Sequence, residues 1–153
     1  MKFNYYAFRA MYFHEMDRFK RTLMQSLFSP VLSTSLYFIV FGSVIGGYVE
    51  KIDGISYGSF IVPGLLMLTL LTQSISNTSF GIFFPKFNGT MYEILAAPIS
   101  TFEIVLAFVG AGATKTLIVG VVIFITSTFF VEVSVMYPFL MIFLLVLVAF
   151  TFA

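Results

Sequence analysis

Three places in this 153-residue chain carry residue types that could do chemistry. The run Gly110-Ala111-Gly112-Ala113-Thr114-Lys115-Thr116 has the glycines, lysine and threonine of a phosphate-binding loop. That loop needs a glycine immediately before the lysine and a strand leading into it, and this run has neither. Small residues that let membrane helices approach closely account for it better. His14-Glu15 opens like a helical zinc site, but Arg18 stands where the second histidine is required and the chain has no other His. One histidine that reads as a surface residue also leaves no Ser/His/Asp set to assemble. The carboxylates of Glu50, Asp53 and Glu132 fall in short loops and read as solvated flanks. No catalytic constellation emerges, and no cofactor or metal is expected on this chain.

The remaining polar residues of note sit inside apolar runs. Thr69, Thr72, Gln73, Ser76 and Asn77 fall on one side of a helix, and Ser33 and Tyr37 share a helical face further upstream. Two readings suit them: hydrogen-bonding glue between packed helices, or the wall of a pathway that meets the polar part of a substrate. Gly42 and Gly46 make a small-xxx-small pair suited to packing. Lys115 either lies deep in lipid or snorkels to the headgroups. Snorkelling is expected, because an unpaired buried cation costs several kcal/mol, on the order of 3 or more, and a functional lysine facing an internal cavity stays open.

Composition says what must hold these residues. Of the chain, 59% is hydrophobic and only 10% charged, where a soluble domain carries about a quarter charged. The 21 Phe exceed what a core of this size can hide, so the bilayer is the expected solvent. A net charge of +1 provides no field for nucleic acid, and the absence of Cys excludes disulfides and thiolate metal sites.

Helical spacing of Tyr5, Phe8, Tyr12, Met16, Phe19 and Leu23, with Lys2, Arg9, Arg18, Lys20 and Arg21 around them, predicts an amphipathic helix over 1–23. It is expected to lie in the headgroup plane. Four spans follow, at about 31–49, 60–84, 111–131 (with an earlier start left open) and 137–153. Pro30, Pro63 and Pro138 fall near span starts, where a missing N–H costs little. Basic residues concentrated before the first span place the N-terminus in the cytoplasm, with segment 85–103 on the same side. The last apolar run stops without a polar flank, as expected of a piece of a longer protein.

Segment 85–103 is a polar island between apolar runs. Asn88 or Thr90 is placed to cap a short helix, Glu93 stands at capping-box distance from Thr90, and Pro98 ends the helix. Met91, Tyr92, Ile94 and Leu95 would be left to a partner.

The run Gly89-Thr90-Met91-Tyr92-Glu93-Ile94-Leu95-Ala96-Ala97-Pro98-Ile99-Ser100, with Glu103 beyond it, resembles the first cytoplasmic loop of ABC-2 type transporter permeases. Tyr37 to Gly42 and Phe60-Ile61-Val62-Pro63-Gly64-Leu65 are similar to that family's first two spans. Lys86-Phe87-Asn88 departs from the charged pair many members carry before Gly-Thr, and the glutamate often stands closer to the threonine. The resemblance implies an all-α integral membrane fold, normally of six spans, and a permease subunit of an exporter working by alternating access. It further implies a separate ABC ATPase holding ATP and Mg, a second permease copy or homologue, surrounding membrane lipid, and a bacterial inner-membrane location. Asn88, Gly89, Thr90, Met91, Tyr92, Glu93, Ile94, Leu95 and Pro98 would then form the ATPase-docking helix. The alternative is a non-transporting membrane scaffold that recruits a cytoplasmic partner through 85–103.

Overall fold

A computed structural model describes residues 3–45, 57–130 and 137–153. Gly46, Val49, Glu50, Lys51, Asp53 and Glu132, on which parts of the sequence reading rest, lie outside them. Described elements are helices α1 (Tyr5–Arg21), α2 (Leu23–Tyr37), α3 (Tyr57–Phe87), α4 (Thr90–Ala96), α5 (Thr101–Phe130) and α6 (Pro138–Thr151). A π-helical stretch, Phe38–Ile45, continues α2. Among the described residues three helical stretches, Leu23–Phe41, Tyr57–Phe87 and Thr101–Phe130, are long and apolar enough to cross a membrane, and α6 is a shorter apolar helix.

Helix α5 is the centre of the bundle. Half of its spanning residues are buried, against 22% in α3 and 17% in Leu23–Phe41. Glycines set how closely α3 approaches. Gly112 lies against Thr78, Gly120 against Leu70, and Gly81 against Phe108, so the two helices run antiparallel as one long hairpin. Helix α6 closes over it: Leu145 packs with Leu66 and Leu70, and the Ser74 hydroxyl donates to the carbonyl of Ala149 at 2.7 Å. Phe38 stacks on Phe130 at 6.3 Å, bringing the π-helical stretch to the far end of α5.

Helix α1 packs against α5. It runs lengthwise along α5 in the same direction: Asn4 meets Glu103, Tyr12 meets Thr114, Glu15 meets Lys115, and Phe19 packs on Val119 and Ile123. The Asn4 side chain accepts from the N–H of Ala7 and so caps its start. At Thr22 the regular helix is interrupted, with N–H and hydroxyl both turned back to carbonyls of the last turn of α1. Chain direction changes little there, so α2 carries on along α5.

Two proline expectations change. Pro30 and Pro63 are inside helices rather than at their starts, because α2 begins at Leu23 and α3 at Tyr57. Pro138 does occupy the first turn of α6.

Candidate functional site

At the tip of the α3–α5 hairpin the chain makes two sharp changes of direction. Gly89 adopts φ 79°, in the left-handed region open chiefly to glycine. Its N–H bonds to the carbonyl of Lys86, ending α3, and its carbonyl accepts from Tyr92, starting α4. Gly89 is therefore the N-cap of α4, with no side-chain cap, and the expected capping box of Thr90 with Glu93 does not form. Glycine's backbone has already made the turn that a capping side chain would otherwise stabilise. Pro98 forces Ala97 into extended geometry and ends α4 after two turns.

The glutamate half of a capping box forms instead at the next helix. Glu103 is the third residue of α5, and its carboxylate accepts from the N–H of Ser100 at 2.9 Å. Its other oxygen accepts from the backbone N–H of Asn4, at the start of α1. Glu103 is only 3% exposed.

Helix α4 itself has no buried residue. Tyr92 is 78% and Leu95 58% exposed, and Glu93, Thr90 and Pro98 are exposed beside them, while Met91 and Ile94 are half-covered. Since nothing lies within 4 Å of a Cβ built on Gly89, the penalty for a side chain there is conformational alone. Gly89→Ala is expected to cost about 1 kcal/mol, Gly89→Asn less, and Gly89→Val more, as read by thermal unfolding of the full-length chain.

About 21 Å along α5 from Thr101 lies a polar layer shared by three helices. Lys115 is 3% exposed and paired with Glu15 of α1 at 2.8 Å; it neither snorkels nor stands alone. The same Glu15 oxygen takes Arg18 at 2.9 Å, and the Arg18 guanidinium sits over the Phe80 ring of α3. Gly81 leaves the room for this: a Cβ there would lie 3.7 Å from both Glu15 and Arg18. The Tyr12 hydroxyl donates to Thr114 at 2.9 Å, bracing the layer on the α4 side. At 30 residues α5 is about 45 Å long, some 15 Å more than a hydrocarbon core, so part of the hairpin lies outside the apolar slab.

Among the described residues, the Thr69 and Thr72 side chains of α3 make their hydrogen bonds within the helix, at Leu65 and Leu68. Thr72, Ser76, Ser33 and Tyr37 are exposed and Gln73 is half-buried. Asn77 Nδ2 and Thr78 Oγ1 are buried with no hydrogen-bond partner among the described residues. Interhelical hydrogen bonding comes from Ser74 instead, which the sequence reading passed over. Glu15, read from the sequence only beside His14, stands in the apolar stripe, three residues after Tyr12 and four before Phe19. A carboxylate on that face and a lone lysine in an apolar span were the signal for the pair. The glycine- and lysine-bearing run 110–116 is mid-helix in α5, and His14 is exposed.

A helical hairpin with an exposed short helix at its tip and apolar helices long enough to cross a bilayer defines an all-α membrane protein. The sequence model of the ABC-2 type transporter family matches residues 6–153, and the chain belongs to that family. It is 38% identical over 129 residues to the inner membrane transport permease YadH of Escherichia coli strain K12. The YadH proteins of Escherichia coli O157:H7 and of Shigella flexneri match equally. Each match covers 84% of this chain and 50% of the relative, so the chain spans about half the length of the curated relatives it matches. No solved structure matches it.

Proposed function

We propose that the chain is part of the permease subunit of an ATP-binding cassette exporter, coupling ATP hydrolysis on a separate ATPase subunit to transport by alternating access. The observation carrying this reading is α4: a two-turn helix at the hairpin tip, with no buried residue and with Tyr92, Glu93 and Leu95 facing outward. An exposed aromatic, an aliphatic and a carboxylate on one small element suit a groove on a soluble partner. Asn88, Gly89, Thr90 and Pro98 set its direction, and Met91 and Ile94 anchor it to the hairpin.

Charge supports the orientation. Arg9 and Lys86 lie toward the α4 end of the bundle, which suits a cytoplasmic position for that end. ATP and Mg belong to the partner subunit. A second permease copy would complete the pathway, with Ser33, Tyr37, Thr69, Thr72, Gln73, Ser76 and Asn77 as its lining. ATPase closure would push α4, and the push would tilt the α3–α5 hairpin as a rigid element.

Co-purification of the full-length protein with candidate cytoplasmic ATPases tests this. The native chain is expected to retain its ATPase, and Glu93→Arg/Leu95→Asp to lose at least nine-tenths of it. Recovery of no ATPase with the intact, membrane-inserted native chain would favour the scaffold.

A further inference from the structure

Glu103 is a carboxylate with both oxygens committed to backbone N–H groups of different helices. One is Ser100, the residue joining the α4 turn to α5; the other is Asn4, the residue that opens α1. About 18 Å further along α5 the same two helices are joined again, by Tyr12 with Thr114 and Glu15 with Lys115. At that second layer the carboxylate comes from α1 and reaches α5; at the tip it comes from α5 and reaches α1. Helix α1 is thus bolted to α5 at both ends of the part that carries α4. Beyond the second layer, regular helix is interrupted at Thr22.

We infer that Glu103 is a positioning residue that makes α1 and α5 one body at the α4 end, so that a displacement of α4 moves both together and flexes the chain at Thr22. The transport role of that motion rests on the permease reading above; the mechanical tie does not. Removing Glu103 takes away the Asn4 contact and half of the Ser100 capping box at once. Glutamine keeps one acceptor oxygen but presents an amide donor to the second N–H. Its effect should fall between native and alanine.

The test is pulsed electron–electron distance measurement on the full-length chain in nanodiscs. Nitroxides go on cysteines at Tyr6 and Phe102, exposed positions of α1 and α5 near Glu103. A control pair at His14 and Ile118 reports on the second layer. Residues 1–153 contain no Cys, so the introduced cysteines are the labelling sites among them. Native protein should give one narrow distance for each pair. Glu103→Ala should at least double the width of the Tyr6–Phe102 distribution and leave the control within its native width.

An unchanged tip distribution overturns the inference. So does broadening of both pairs together, which would mean general loosening. If the alanine variant does not assemble, Glu103→Gln decides by the same criteria. With an ATPase in hand, Glu103→Ala should keep its binding within twofold while transport per ATP falls at least tenfold. Failure of the native chain to bind any ATPase would overturn the permease reading and leave the distances standing.

Discussion

Replacing Glu15 by leucine is expected to be the most destabilising single change in the described part of the chain, at about 3–5 kcal/mol. Glu15 is the counter-charge for two cations, and Lys115 has almost no access to water. Leucine would leave the Lys115 ammonium buried without a carboxylate. Lys115→Met is milder, because Glu15 keeps Arg18 at 2.9 Å. The double variant Glu15→Leu/Lys115→Met removes both buried charges and should recover much of the loss. Thermal unfolding of the four proteins in one detergent closes a double-mutant cycle. The pair has no special weight if Glu15→Leu and Lys115→Met cost the same and their effects add.

A second large effect is expected at the closest approach of α3 and α5. A Cβ on Gly112 would run into Thr78 Oγ1, with Thr78 Cβ at 3.3 Å and its Cα at 3.6 Å. Thr78 is branched at Cβ, which restricts its rotamers, and its Cβ and Cα stay close whichever way the oxygen turns. Gly112→Ala should therefore cost about 1–3 kcal/mol through overpacking and splayed helices. Gly120→Ala meets Leu70 Cδ2 at 2.6 Å, the far end of a flexible side chain, and should cost less. Gly64→Ala meets nothing within 4 Å and should be neutral or stabilising by up to about 1 kcal/mol. Thr78→Ala should rescue Gly112→Ala, since it removes the atom in the way. Equal unfolding temperatures for the Gly112 and Gly64 variants would refute this account of the packing.

Glycine also explains one failure of the sequence reading. The pattern Thr90-x-x-Glu93 and the pattern Ser100-x-x-Glu103 are the same signal, and only at the second does the glutamate reach back to the N-cap N–H. Spacing cannot tell them apart. At the first, Gly89 makes the turn with backbone alone. At the second, Pro98 holds the preceding chain extended, and Asn4 brings a second N–H to the same carboxylate. That second donor lies 99 residues away and is invisible locally.

Lys115 teaches the same lesson. A lone cation in an apolar run reads locally as unpaired, because its partner stands 100 residues earlier. Glu15 was legible as a carboxylate within an aromatic stripe, but a stripe alone does not say which helix it faces. For the same reason the amphipathic stripe of α1 is local, whereas the packing of Tyr12 and Phe19 from that stripe on α5 is not.

Composition and periodicity by themselves determine that the chain is helical, that its helices belong in a membrane, and that a short helix separates the second and third long ones. These follow from apolar content, from 3.6-residue spacing and from the length a bilayer demands, all of which are local. The loop residues likewise carry the family resemblance that the match over 6–153 establishes. Only the tertiary structure decides which helix is central, which polar residues are buried, and where each finds its partner. A buried charge or a side-chain-free glycine has meaning only against what packs on it, and that depends on groups distant in sequence brought within about 3 Å.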